Sequence, residues 1–426
     1  MSESGNSRLA GRVAFTYPDF SRYQRARFFI VLSIEMQSVA VGWQVYEITR
    51  RPLDLGLIGL TQFLPGMLLF LVSGHAADRF DRRNLLVTCY VGFSVCSSLL
   101  LATALHGLHV VYPIYLIVVL LGVVRSFNGP VSRALLPQLV PPEHFPNAVA
   151  WNGSVYQSAT VLGPSVGGLL YALSGGPTVV YTSSIIAAAA AAVSTLQIRT
   201  RGEQRPREEM NLRSILVGLR FIRQQKVVLG AISLDLFGVL LGGAVALLPV
   251  YAREILRTGP WGLGLLRSSP ALGATSMAIF IAHRPLRNRV GATMLACVAG
   301  FGTFTIVFGI SRSLVISILA LLLVGAADMV SVVIRGTLVQ LSTPDEMRGR
   351  VNAVDMIFVG ASNEIGQFES GVTAHWFGTV PAVVLGGIGT LLVTALWAWA
   401  FPELRRADRI TPIKSPVPPF VDSVKD

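Results

Sequence analysis

Twelve stretches of about twenty or more largely apolar residues recur along the chain, and no other feature restricts its fold as much. They run near 24–48, 56–77, 84–106, 111–133, 146–172, 177–198, 227–252, 262–283, 290–310, 313–335, 347–376 and 380–402. Each is long enough for a helix to cross a hydrocarbon core of ~30 Å. Inside lipid the backbone has no water to bond to, so runs of this length are stable as helices that close their own hydrogen bonds. Only 14% of the 426 residues are charged, well below the ~25% of soluble domains. The expected class is an all-α polytopic membrane protein with twelve transmembrane helices.

The formal net charge of +12 raises the question of a nucleic-acid partner, and the distribution of that charge excludes one. With both termini cytoplasmic, twenty-eight Lys and Arg fall in inside loops and tails. Five fall outside: Arg50, Arg51, Arg253, Arg257 and Arg312. This is the positive-inside bias, and it fixes the expected orientation. The first 27 residues are polar and basic, without a short apolar core or a small-residue cleavage site, so the first membrane helix is expected to act as the insertion signal. Cys89, Cys96 and Cys297 lie in apolar segments with neither metal-site nor disulfide spacing.

The longest connection follows the sixth segment and divides the chain six plus six. The expected organisation is a cytoplasmic tail (1–23), a six-helix bundle (24–198), a basic linker (199–226), a second six-helix bundle (227–402) and a polar, proline-rich, disordered tail (403–426). Within the linker, Leu212, Ile215, Leu216, Leu219 and Ile222 share one helical face, which predicts an amphipathic helix on the membrane surface. The halves also correspond in sequence. A shift of 202 aligns Arg133 with Arg335, Leu136 with Leu338, Gln138 with Gln340, Leu139 with Leu341, Pro142 with Pro344 and Val149 with Val351. Two parallel six-helix repeats with a site between them are a transporter architecture.

Between the second and third segments stands GHAADRFDRR, five charges in six positions. It resembles the G-x-x-x-D-R-x-G-R-R motif of the major facilitator superfamily: Gly74, Asp78, Arg79, Arg82 and Arg83 match, and Asp81 replaces the usual glycine of the turn. Arg125-Ser-Phe-Asn128-Gly129 resembles the R-x-x-Q-G motif of proton-coupled members, with Asn for Gln. Gly163-Pro164-Ser-Val-Gly167-Gly168 resembles the G-P-x-x-G-G element of the antiporters. In the second half, HRPLRNR keeps the basic residues of the loop motif without its acid. Shorter matches at 137–150, SILVGLRFI and PDEMRGRVNA resemble the bacterial branch that includes enterobactin-exporter and macrolide-efflux-like proteins.

The resemblance implies roles for particular residues. Asp78 would meet the start of the eleventh helix, at Arg348-Gly349-Arg350, where a carboxylate gains an arginine partner and the positive end of a helix dipole. That contact would latch an inner gate, with Gly74 permitting close approach and Asp355 near enough to take part. Topology alone would also account for the arginines. Gly163, Pro164, Gly167 and Gly168 would bend the fifth helix and pack it tightly, a use common to membrane helices generally. The first, fourth, seventh and tenth helices would line a central cavity, which would gather Glu35, Arg125, Asp235 and Asp328. Charges at membrane depth are costly and mark functional sites by default. Arg125 is expected to pair with Asp328 or Glu35 in a proton-sensitive contact, unless the pair only holds helices together. Asp355 and Glu364 are half a turn out of phase and cannot share a face, so Glu364 ranks behind the other acids; Glu369 lies toward the outer mouth.

No nucleophile triad, phosphate-binding loop or zinc spacing is present, and the six histidines are scattered near helix ends. The chain is expected to be no enzyme and to need no cofactor or metal. The reading is a proton-driven exporter of a siderophore, drug or similar metabolite, working by alternating access as a monomer in a bacterial inner membrane. Its expected partners are the small-molecule substrate, protons and the lipid bilayer. A nutrient symporter or uniporter stays open on the same fold, as do, more remotely, a membrane sensor and a membrane-embedded enzyme.

Overall fold

The computed structural model describes residues 12–107, 110–200, 212–284 and 289–407. The tails, the first part of the linker and most of HRPLRNR lie outside the described residues. The first half contains α1 (Pro18–Thr49), α2 (Pro52–Leu68), α3 (Phe70–Arg79), α4 (Arg82–Leu105), α5 (Tyr112–Leu135), α6 (Phe145–Ser174) and α7 (Thr178–Leu196). A connecting helix, α8 (Leu212–Gln224), leads into α9 (Lys226–Leu241), α10 (Gly259–His283), α11 (Val290–Ile310), α12 (Leu314–Ser342), α13 (Asp345–Phe377) and α14 (Thr379–Ala400).

Among the described residues nine helices are long and apolar enough to cross a membrane. A tenth span forms when α2 and α3, bent by 54° at Leu69, are counted together. The remaining expected spans are α6, of 30 residues, and α13, of 33, both more polar than their neighbours. Every segment anticipated from hydropathy therefore coincides with a helix, with the bent pair or, at 227–252, with α9 continued by short helical turns to Ile255. In α13 each acid has a partner: Asp355 pairs with Arg335 of α12, Glu364 accepts from Gln367 and Glu369 from Thr373 within the helix.

Chain ends and short turns divide the molecule into two faces. The turns at 80–81 and 343–344 and the described chain ends lie on one, called here the basic face. The turns at 50–51, 175–177, 256–258, 311–313 and 378 lie on the other, the far face. Within a half, adjacent helices are joined by buried hydrogen bonds. Tyr181 donates to Gln44 at 2.6 Å, Ser97 to Gln37 at 2.5 Å, and Ser33 to the Ser184 carbonyl at 2.8 Å. Lipid supplies no hydrophobic drive between helices, so such bonds, worth about 1 kcal/mol each, and close packing hold the bundle.

The two halves meet along α6 with α10 and α2 with α13. Both seams run through glycine near the far face. A Cβ on Gly168 would come 2.5 Å from the Pro260 carbonyl and 2.9 Å from the Gly264 Cα. One on Gly56 would come 3.1 Å from the Gly371 Cα. Polar contacts reinforce this side. Tyr46 donates to Glu254, Arg253 pairs with Glu47 at 3.2 Å, and the Arg253 guanidinium sits 5.3 Å from the Trp43 ring centre. On the basic side, Cβ positions at Gly74, Gly153, Gly349 and Gly360 open onto space, with nothing within 4 Å. Arg133 crosses there to Met356, with Nη1 to Sδ at 2.7 Å. The molecule is closed at the far face and open at the basic face.

Helix α8 lies against α13 rather than free on a surface. Ile222 is buried, Ile215 packs into the same small core with Val351 and Val354, and Gly218 touches the Arg350 backbone. Leu216 and Leu219 remain exposed, so the apolar stripe seen in sequence is divided between protein and surroundings.

Candidate functional site

The centre of the molecule holds a cavity of about 150 Å³, room for several waters. Glu35 from α1, Arg125 from α5, Arg267 from α10 and Glu364 from α13 line it, with Gln62 and Gln367. The four charges come from four helices, two from each half, and sum to zero when all are ionised. Arg267 donates to Ser38 across the halves at 2.6 Å and lies within electrostatic reach of both glutamates. Arg125 donates to Gln62 at 3.2 Å and is felt by Glu364. Gln367 donates to Glu364 at 3.3 Å.

Glycines decide how these groups come together. Gly163 lies against the Glu35 side chain so closely that a Cβ there would overlap it, and Gly167 sits against the Met36 backbone. The G-P-x-x-G-G element thus brings α6 onto α1 at Glu35 and, through Pro164 and Gly168, onto Gly264 of the other half. Gly59 does the same on the opposite seam, with a Cβ position 3.4 Å from Glu364 Oε2.

Arg267 is missing from the set anticipated by sequence, and Glu364 was ranked too low in it. Both were visible as charges within apolar runs. Asp235 and Asp328 are corrections in the other direction. They line a separate crevice inside the second half, between α9, α11 and α12, with Ser331. Arg125 therefore does not pair with Asp328. Asp235 is held by Arg335 at 3.5 Å, and Arg335 reaches Asp355 at 2.5 Å with both carboxylates on its guanidinium fork. Asp355 is accordingly part of this buried network and not of a gate between halves. The cause is the arginine: its planar donors collect two acids from α9 and α13 and turn them away from the central cavity.

Breaking that network carries a stability cost that can be measured. Replacing Arg335, 5% exposed, with Ala strands Asp235 beside Asp355, and removal of one partner from a buried pair costs about 3–5 kcal/mol. The purified Arg335→Ala protein should melt at a lower temperature. Adding Asp235→Asn and Asp355→Asn should restore most of the loss; a single variant that melts like wild type would contradict the network's role.

The latch anticipated between Asp78 and the start of α13 is not formed among the described residues. Asp78 is exposed and forms no ion pair among the described residues. Gly74 makes no close approach, contrary to expectation: a Cβ there would meet nothing within 4 Å. Arg82 instead donates to the carbonyls of Ala77 (3.3 Å) and Ala134 (3.2 Å), and Arg83 donates to Leu196. These bonds satisfy carbonyls at helix C-termini, where cations are favoured. Asp81, in place of the glycine, caps α4 by accepting from the Asn84 amide at 2.8 Å, so the turn needs no glycine. Arg348 donates to the Gln340 carbonyl at 3.2 Å, and Arg350 lies 3.7 Å from the Met347 sulfur. Arg79 is engaged as well.

Comparison with known proteins gives a consistent answer. A family model described as "Transmembrane secretion effector" matches residues 23–425. The enterobactin exporter EntS of Shigella boydii serotype 4 is 28% identical over 410 residues, covering 93% of this chain and 95% of the relative. EntS of Escherichia coli O1:K1 / APEC matches over the same shares. Among solved structures, the POT family transporter PepTSo superposes with a TM-score of 0.72 at 12% identity, covering 91% of this chain and 98% of the other. A bacterial homolog of the human lysosomal transporter Spinster, inward-facing and occupied, gives 0.69 at 13%, with 90% and 97% covered. The D-xylose-proton symporter gives 0.67 at 16%, with 90% and 98% covered. These structures share the fold.

Proposed function

The chain belongs to the transmembrane secretion effector family of the major facilitator superfamily, and from that premise we propose that it exports a siderophore-like organic compound by proton-driven alternating access. The membrane is the inner membrane of a bacterium, with the basic face and both termini toward the cytoplasm, as the positive-inside bias requires. The observation that carries the reading is the central tetrad Glu35, Arg125, Arg267 and Glu364, split evenly between the halves. Protonating either glutamate removes its attraction to the arginines and leaves a net positive cavity. Such a change alters the strength of the contacts that join the halves, which is the minimum needed to tie proton binding to a rocking motion.

In this reading the molecule is caught open to the cytoplasm. Asp78 stands apart from Arg348 and Arg350 and would meet them when the inner side closes. Asp78→Asn is expected to insert and fold normally and to lose transport; normal flux through that variant would remove the latch. The sugar-carrier alternative is weakened by Gln44 and Gln37, whose amide oxygens already accept from Tyr181 and Ser97.

The reading is tested by efflux from cells preloaded with catecholate siderophores, macrolides and cationic dyes, with and without a protonophore. Efflux that stops with the protonophore and with Arg125→Ala supports it. Efflux indifferent to the gradient overturns the proton coupling, and a chain that moves none of these but accumulates sugars or amino acids overturns export.

A further inference from the structure

The repeat relation has a second consequence at the basic end of the cavity. Arg335 is neutralised by two carboxylates, whereas its repeat-mate Arg133 has none among the described residues. Arg133 meets the Met356 sulfur, and Arg27 of α1 is close enough to repel it. Arg27 donates to Ser132 at 2.9 Å and lies 5.2 Å from the centre of the Tyr156 ring, again without an acid among the described residues. The shift of 202 shows what is missing. Asp355, the acid bonded to Arg335, corresponds to Gly153, where a Cβ would meet nothing within 4 Å. The first half thus keeps the arginine, adds another, and leaves the acid's place open.

Polar groups without partners stand one helical turn along the same helices. Both amide atoms of Gln24, which is 3% exposed, lack a partner, as do Arg27 Nε and the side-chain oxygens of Asn128 and Asn152. Gln24, Asn128 and Asn152 lie one helical turn from Arg27, Ser132 and Tyr156 respectively, on three different helices. Buried polar groups are ordinarily satisfied, so orphans on the helices that carry the two unneutralised guanidiniums and Tyr156 call for a polar occupant.

We propose that Arg27 and Arg133, flanked by Tyr156, form a binding site for the anionic group of an organic substrate, a carboxylate or deprotonated phenol attached to an aromatic ring. The anion takes the place that Asp355 fills in the second half, and the ring lies beside Tyr156. Charge-assisted bonds to guanidinium supply the affinity. The site faces the open basic side, where a substrate leaving the cytoplasm enters. It deepens the exporter reading, on which its purpose rests, but its chemistry is read without flux.

The test uses salicylate, followed by its own fluorescence, and its neutral counterpart salicylamide, against the purified full chain in nanodiscs. Salicylate is expected to bind at least about tenfold more tightly than salicylamide. Arg133→Gln should remove that preference. Gly153→Asp should remove it too, by supplying the missing carboxylate, while Gly153→Asn, equal in size and uncharged, should keep it. Equal binding of the two probes by wild type, or equal binding of salicylate by the Asp and Asn variants, overturns the site. Charge-selective binding without flux of any compound would sink the exporter reading and leave the site standing; flux without charge selectivity would do the reverse.

Discussion

Replacing Glu364 with glutamine is expected to cut proton-driven flux to below about a hundredth of wild type while the protein still folds and inserts. The amide preserves the shape of the side chain and its contact with Gln367. What it removes is a titratable charge opposite Arg267 and Arg125. An arginine deprived of one counter-charge in a low-dielectric cavity is less stable there, which biases the molecule toward the conformation that exposes it to water. The informative measurement compares two assays in proteoliposomes. Flux driven by a pH gradient should fail in Glu364→Gln, whereas exchange of labelled for unlabelled substrate, which needs no net proton movement, should continue. Gradient-driven flux near the wild-type rate would show that Glu364 carries no proton, and the same comparison on Glu35→Gln would then find the residue that does.

Gly168→Val should abolish turnover by the opposite route, through the far-face seam. The first carbon added there would stand 2.5 Å from the Pro260 carbonyl and 2.9 Å from the Gly264 Cα, with backbone on both sides that cannot rotate away. Overpacking of this kind costs about 1–3 kcal/mol or more, and 1.4 kcal/mol already shifts an equilibrium tenfold. The closed far face should be depopulated by at least about tenfold. In a background freed of Cys89, Cys96 and Cys297, a cysteine at Val41, which lines the central cavity, should then react with an impermeant maleimide from the far side much faster than in the parent. Unchanged labelling together with unchanged flux would mean that the seam tolerates a side chain and is not what closes that side.

The helices were legible because the hydropathy pattern is continuous along the chain, and even α13, with its acids, was found as a segment. The rotation of each helix about its own axis was not. Phase arguments correctly separated Asp355 from Glu364. Which of the two faces the cavity depends on where neighbours approach, and in α13 that is fixed by Gly371 against Gly56 and Gly366 against the Leu240 backbone. A glycine's partner lies in another segment, and a single sequence does not name it. Asp235 and Asp328 were placed at membrane depth by the same reasoning and turned out to face Arg335 and Ser331 instead of the axis. In sequence Arg335 stands out only as one member of a repeat; that it gathers two acids depends on α9, α12 and α13 standing side by side.

The glycine contacts between halves have an evolutionary consequence. Where Gly56 meets Gly371 and Gly168 meets Gly264, backbone lies against backbone and no side chain takes part. The glycine part of the far-face closure thus asks nothing of side chains, although Tyr46–Glu254 and Arg253–Glu47 join it, and the charged groups of the central cavity stand apart from both. Cargo preference can therefore drift by ordinary substitution without disturbing the mechanical cycle. A lineage carrying these four glycines is free to diversify in what it secretes while keeping one way of opening and closing.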